Sequence, residues 1–167
     1  MKVLAFILIF LAAVATSYGQ VEYSLYKNQR YGYSVEFPSN LLIMRQRQPG
    51  THIGRDFVSR DRKIVMFVLA SRNENMLELR DEEHLSVYRA GSGDLDTLER
   101  TPTSFAFSMT TKKRVYFQKT VRHRFPRADF YYTLVVKYPS SLHKKWQPII
   151  ERIAASLKID GEADVEP

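Results

Sequence analysis

Apolar and polar residues alternate along several short segments of this 167-residue chain, which is the pattern of half-buried β-strands. Residues 33–37 alternate in this way, and Pro38 ends the segment because proline cannot donate a ladder hydrogen bond. Three further extended segments follow: 41–44, broken at 48–50, and the two arms of a hairpin at 56–59 and 63–70. The second arm of the hairpin is so continuously apolar that we expect it to lie centrally in a sheet.

The middle of the chain has the pattern of a β-meander. Extended segments are predicted at 104–109, 114–124 and 130–138, with turns at Lys112 and Lys113 and at 126–129. Because the connections between these segments are short, we expect the three strands to be antiparallel neighbours.

Two segments are predicted to be helical. Residues 81–90 carry acidic residues in the first turn, with Asp81 as the predicted N-cap and Gly91 at the end. Near the C-terminus, apolar residues recur at helical spacing, and we interpret this stripe as core rather than a ligand site: Leu142, Trp146, Ile149, Ile150, Ile153 and Leu157. Since Pro148 is tolerated best in a first turn, this helix is predicted to begin near Gln147. Together the elements predict an α+β fold, an antiparallel sheet flanked by helices.

The N-terminal region has the pattern of a secretory signal peptide. Lys2 precedes an apolar run of about twelve residues, which at 1.5 Å per residue is too short to span a bilayer of roughly 30 Å. Small residues follow, so cleavage is predicted between Gly19 and Gln20. We therefore expect a signal peptide at 1–19, one domain at 20–160 and a disordered acidic tail at 161–167. The mature protein is expected to be a secreted or periplasmic monomer with no transmembrane span.

The residue inventory offers no recognisable catalytic or metal-binding motif. The chain has no cysteine, so disulfides, cysteine-based metal sites and a lipidated N-terminal cysteine are excluded. The four histidines lie in different segments and none is paired at helical metal-site spacing: His52, His84, His123 and His143. No nucleophile elbow, phosphate loop or dinucleotide motif occurs. We expect no metal, no cofactor and no enzymatic activity.

Two stretches resemble the PsbP-like family of small secreted proteins. The first spans residues 26–39, in which Asn28, Gly32 and Pro38 are set among alternating aromatic residues. The second comprises the Lys-Tyr-Pro-Ser run at 137–140 and the helical pattern at 149–158. The resemblance covers most of residues 20–158.

The resemblance implies an α/β/α sandwich and a binding role rather than a catalytic one. Chloroplast members of this group support a membrane photosystem from the lumen, a nuclear relative binds a small GTPase, and bacterial members are mostly secreted. No catalytic residue of the group can be carried over to this chain, and the resemblance does not identify a partner.

Basic residues form the strongest surface signal. The chain has a formal net charge of +7, and six of its 25 Lys and Arg residues form two clusters at the ends of the predicted strand 114–124. Even positions on this strand are polar and are predicted to face solvent. The two clusters, about 30 Å apart at 3.3 Å per residue, are Lys112, Lys113 and Arg114 at one end and Arg122, Arg124 and Arg127 at the other.

These clusters suggest docking to an acidic protein or an anionic envelope component, and the alternative is a merely solvated sheet face. They are too far apart to grip one small anion together. No RNA-binding, zinc-finger or helix-turn-helix pattern accompanies them, so nucleic acid is not expected as a partner.

Lys119 is unusual because alternation places it among the apolar odd positions of the same strand. Its stem could cover apolar surface while its amine reaches the rim of the sheet or a structural carboxylate. Alternatively, Lys119 lines a cavity between sheet and helix that binds an anionic group. A pocket joining Lys119 or His123 to a carboxylate and a hydroxyl would instead favour the second candidate function, a hydrolase.

Overall fold

The computed structural model describes residues 20–45 and 54–160. Within these ranges the chain forms ten strands and two α-helices. The strands are β1 (Tyr23–Asn28), β2 (Tyr33–Pro38), β3 (Ile43–Met44), β4 (Gly54–Val58), β5 (Val65–Arg72), β6 (Asp94–Arg100), β7 (Ser104–Thr110), β8 (Arg114–Phe125), β9 (Ala128–Pro139) and β10 (Lys158–Ile159). The helices are α1 (Leu79–Ala90) and α2 (His143–Ser156), and a 3-10 turn (Ser140–Leu142) leads into α2.

A seven-stranded sheet forms the middle layer, with strand order β3-β4-β5-β9-β8-β7-β6 and antiparallel pairing throughout. The predicted hairpin is β4–β5, and the predicted meander is β7–β8–β9. The apolar strand β5 lies inside the sheet beside β9, as its composition predicts.

One face of this sheet is covered by α2 and by a small sheet of order β1-β2-β10. The inward residues of β2 and β9 pack with the apolar stripe of α2 into the main core, in which Val35, Tyr132 and Ile153 are fully buried. The stripe of α2 is therefore core, as its spacing predicts.

The opposite face is covered by α1. Phe105, Phe107 and Met109 of β7 pack there against Leu79 and Val87, forming a second, smaller core. The molecule therefore has three layers: α1, then the seven-stranded sheet, then α2 together with the small sheet. The predicted α+β class and α/β/α arrangement are confirmed.

The prediction that the even face of β8 is open to solvent is wrong. Gln118 is 5% exposed and Thr120 is fully buried, because α1 lies over them. The polar side chains satisfy one another in this interface: Gln118 Nε2 donates to Ser86 Oγ of α1 at 2.9 Å and to Thr120 Oγ1 at 3.0 Å. A polar strand face can therefore be buried when the helix above it supplies polar partners.

The boundaries of both helices differ from the prediction. Helix α1 is capped by Glu78 without a side-chain hydrogen bond, so Asp81 is a first-turn residue rather than the N-cap. Helix α2 begins at His143, four residues before Gln147, and carries Pro148 in its interior. Pro148 has no N–H to donate to the carbonyl of Lys144, four residues earlier. It is tolerated there because both Pro148 and Lys144 are exposed to solvent.

Strands β1, β6 and β10 were not predicted. β6 is exposed at almost every position, so no buried face imposes an alternating pattern on it. The predicted signal peptide at 1–19, the break at 48–50 and the tail at 161–167 lie outside the described residues. Among the residues that are described, no helix is long and apolar enough to cross a membrane.

Candidate functional site

The turn between β7 and β8 holds the first predicted cluster in a fixed geometry. Thr111 Oγ1 accepts hydrogen bonds from the backbone N–H groups of Lys113 (3.3 Å) and Arg114 (2.9 Å). The Thr111 N–H also donates to the Arg114 carbonyl at 2.8 Å. Lys112, Lys113 and Arg114 are all exposed on this turn. Their side chains therefore project into solvent from a well-ordered backbone.

The start of α2 lies beside this turn and brings further cations to it. The Ser140 N–H donates to the Lys113 carbonyl at 3.1 Å, and Ser140 Oγ donates to the Lys112 carbonyl at 3.2 Å. Lys144 and Lys145 lie one helical turn further along the chain, and both are exposed. We name the five cations Lys112, Lys113, Arg114, Lys144 and Lys145 the basic end.

The electrostatics of the basic end are unbalanced within the part of the chain that the structure describes. None of its five cations forms an ion pair with a described residue. Helix α2 also has no acidic residue in its first turn and no side-chain cap. Lys144 and Lys145 therefore lie near the positive end of a helix dipole, where a cation is unfavourable. This arrangement attracts an external anion.

Sequence reasoning missed Lys144 and Lys145 because only the tertiary contacts of Ser140 bring α2 next to the β7–β8 turn. The signal that could have found them is the run of His143, Lys144 and Lys145 at a helix start, where acidic residues are the usual choice.

The second predicted cluster has a different character. Arg122 has a side chain only 10% exposed, and its guanidinium contacts Asp129 at 2.6 Å and Glu78 at 2.8 Å. The Asp129 hydrogen bonds raise the pKa of Arg122, and the Glu78 bond adds to this effect against the opposing influence of burial. The expectation that Arg122 faces solvent is thus wrong, because its charge is neutralised inside the fold. Arg124 and Arg127 are exposed, and Arg124 lies 3.5 Å from Glu78.

Lys119 adopts an arrangement that the sequence did not predict. Its Nζ donates to the Ala154 carbonyl near the C-terminal end of α2 at 2.7 Å. Burial lowers the pKa of Lys119, and the negative charge of Glu99 acts in the opposite direction. The stem does lie on the apolar face, as expected, but the ammonium binds a helix carbonyl instead of a carboxylate.

The pocket on which the hydrolase alternative depended is not built from Lys119 and His123. His123 is exposed, and its ring packs against Phe125 with centroids 4.4 Å apart. Neither side chain meets a carboxylate together with a hydroxyl among the residues that the structure covers.

The comparisons with known proteins concern the fold. No family model and no curated protein matches the chain. Two solved structures are similar to it over most of their length. Cyanobacterial PsbP (CyanoP) from Synechocystis sp. PCC 6803 is 11% identical, with a TM-score of 0.58 over 87% of this chain and 96% of that one. The Ran-binding protein Mog1p of Saccharomyces cerevisiae is 7% identical, with a TM-score of 0.56 over 84% of this chain and 96% of that one.

The chain has a PsbP-like fold. This confirms the fold that the motifs at 26–39 and 137–158 imply. At such low identity the PsbP-like likeness extends to the architecture alone, so the function is argued from the chain's own surface.

Proposed function

We propose that this protein is a noncatalytic accessory protein of the periplasm or the extracellular space that docks to an acidic protein through the basic end. The observation that carries the proposal is a set of five exposed cations on two elements that the Ser140 hydrogen bonds join, none of them paired with a described carboxylate. Such a surface accelerates encounter with an anionic partner and orients it.

Two further points support the proposal, one on the partner and one on the location. Mog1p, which shares the fold, is described as a Ran-binding protein, so a PsbP-like scaffold can serve protein recognition. The signal-peptide pattern of residues 1–19 supports a location outside the cytoplasm. An anionic envelope component is the alternative partner, because its charge would suit the same surface.

The test is capture of partners from the secreted and envelope fractions with the mature protein. We compare the wild type with Lys144→Gln/Lys145→Gln and with a matched control, Arg124→Gln/Arg127→Gln, which removes the same charge from the other end of β8. Loss of two cations that face the partner should weaken its binding about tenfold at low salt. Binding of the wild type should also fall as salt rises, because exposed charges are screened within about 8 Å at physiological ionic strength.

Each outcome bears on the proposal. A captured acidic protein that is lost only with the Lys144/Lys145 variant supports docking through the basic end. Equal binding by that variant and the wild type would show that the basic end is not the docking surface. Capture of a lipid or polymer instead of a protein would favour the envelope component.

A further inference from the structure

A cavity of about 330 Å³ opens beside the basic end, on the face of the sheet that carries α1. It lies between the C-terminal end of α1 and the β7–β8 turn. Its walls combine three cations with apolar side chains, and its lining includes Lys113, Arg114, Lys137, Met109, Val115 and Tyr116. This volume is in the lower range of small-molecule sites and suits a group the size of one large side chain.

Of the three cations that line the cavity, Lys137 is the one that does not belong to the basic end. It is half-buried on β9, and its Nζ lies 5.2 Å from the centre of the Tyr116 ring and 6.0 Å from that of Phe67. Like Lys113 and Arg114, it forms no ion pair with any residue in the described ranges. The aromatic rings hold its ammonium in place without neutralising its charge.

The remaining walls are uncharged. Tyr116 donates its hydroxyl hydrogen to Gln118 Oε1 at 2.6 Å, and burial raises the pKa of Tyr116 to about 12. The ring therefore stays neutral at physiological pH and does not repel an anion. Met109 is 6% exposed and lies in the smaller core together with Tyr116, and these two side chains form an apolar floor next to the cations.

We propose that this cavity binds a carboxylate joined to an apolar group, such as the C-terminal residue of a protein partner or a free small acid. The cations would bind the carboxylate, and the floor of Met109 and Tyr116 would cover the apolar group. An inorganic anion would leave the apolar floor unused, and a neutral apolar molecule would leave the cations unpaired. The inference rests on the proposed function, since Lys113 and Arg114 belong to both surfaces.

The experiment is an NMR titration of the mature protein with four probes. N-acetylphenylalanine presents both required groups, N-acetylphenylalanine amide lacks the charge, and acetate and inorganic phosphate lack the apolar group. We expect saturable shifts of the Met109 and Tyr116 amide signals with N-acetylphenylalanine, and binding at least tenfold weaker for the other three. Lys137→Met, which keeps most of the stem, should weaken N-acetylphenylalanine binding about tenfold. The matched control Lys27→Met, an exposed position on β1 in the small sheet on the opposite face, should bind like the wild type.

Two further probes distinguish the sources of the carboxylate. A pentapeptide that ends in phenylalanine should bind more tightly than N-acetylphenylalanine if the natural ligand is a protein C-terminus. If 3-phenylpropanoate binds as tightly as the pentapeptide, the ligand is a free small acid.

The inference would be overturned if none of the carboxylate probes bound saturably, or if acetate bound as tightly as N-acetylphenylalanine. A Lys137→Met variant that is less stable but binds the probe normally would also overturn it. Lys137 would then only stabilise the negative, C-terminal end of helix α1. The proposed function is separable: the Lys144/Lys145 variant should lose partner capture yet keep probe binding. If it loses capture while no probe binds even the wild type, only the cavity inference fails.

Discussion

Lys119 carries its ammonium group into a region where burial disfavours the charge, and a helix carbonyl compensates for this. The bond from Nζ to the Ala154 carbonyl ties β8 to the last turns of α2. Carbonyls at the end of a helix lack intrahelical partners and carry partial negative charge, so an ammonium suits this position. The strand alternation of β8 predicts that Lys119 faces inward, but nothing in the sequence indicates which group it meets.

Lys119→Met should leave stability within about 1 kcal/mol of the wild type. The variant loses one hydrogen bond but no longer buries a charge, and these two effects oppose each other. Binding of N-acetylphenylalanine in the cavity should be unchanged, because that cavity lies on the other face of the sheet. Urea unfolding and the probe titration check the two expectations. A variant that fails to bind the probe would place Lys119 in the binding site after all.

Arg122 is expected to act on stability rather than on docking. Arg122→Gln should reduce the free energy of unfolding by about 2 kcal/mol, because it removes the closest charged partner of the half-buried Asp129 carboxylate. The matched control Arg127→Gln changes an exposed cation and should shift stability by less than about 0.5 kcal/mol. Urea unfolding at pH 7 measures both. Equal stability of the two variants would show that the Asp129 contacts contribute little.

At the scale of elements, α1 is unusual because it buries polar residues and exposes apolar ones. Glu83 and Ser86 are 3% exposed, whereas Tyr88 is 84% exposed and Leu85 is 36% exposed. Glu83 accepts a bidentate ion pair from Arg100 of β6 at 2.6 and 2.7 Å, and Ser86 binds Gln118 of β8. The helix is therefore oriented by hydrogen bonds as well as by the apolar contacts of Leu79 and Val87.

This packing makes the attachment of α1 sensitive to acid. The hydrogen bonds from Arg100 hold the pKa of Glu83 below its usual value although burial opposes them. A carboxyl with a lowered pKa stabilises the fold above its unfolded pKa, and this contribution is lost as pH falls through the folded value. We expect amide exchange in α1 to accelerate relative to β9 below about pH 4. In Glu83→Gln, α1 should exchange roughly tenfold faster already at pH 7.

Hydrogen exchange with mass spectrometry, read separately for α1 and β9, measures this difference. Glu151→Gln, an exposed substitution on α2, is the control and should exchange like the wild type. Uniform exchange across the molecule at low pH, with no earlier opening of α1, would contradict the proposed polar attachment.

The same elements show how far sequence patterns reach. The meander β7–β8–β9 and the stripe of α2 were predictable because one side of each element meets an apolar core. The even face of β8 was misassigned because burial against α1 uses hydrogen bonds, which leave no apolar period. Lys137 and Lys144 were missed as candidate residues because the cavity and the basic end are assembled from segments distant in sequence. The exposed strand β6 carries no inward pattern to detect.

At the scale of the whole molecule, the cations at the two ends of β8 differ in whether described carboxylates pair with them. Arg122 and Arg124 lie close to Glu78 and Asp129, whereas the basic end has no such partners. An approaching anionic partner would be steered toward the basic end, where the cavity also opens.

Stability of the whole fold should decline steeply above pH 10. Burial raises the pKa values of Tyr116, Tyr132 and Tyr138 to about 12, and the charge of Asp96 adds to the shift of Tyr138. An unfolded tyrosine ionises near pH 10, so between pH 10 and 12 the unfolded chain releases protons that the folded chain retains. Each such tyrosine then reduces the free energy of unfolding by about 1.4 kcal/mol per pH unit. Lys119, with its lowered pKa, acts in the opposite direction but is a single group.

Urea unfolding at pH 9, 10 and 11 measures this slope, and absorbance at the tyrosinate band reports ionisation directly. Tyr132→Phe should be less stable than the wild type at pH 7 because its hydroxyl donates to the Tyr31 carbonyl at 3.1 Å. Above pH 10 its slope should be smaller, since one of the five phenols with a raised pKa is gone. Tyr88→Phe removes an exposed phenol and should leave the slope unchanged. Equal slopes for the Tyr132 variant and the wild type would show that the phenol of Tyr132 ionises as freely in the folded chain as in the unfolded one.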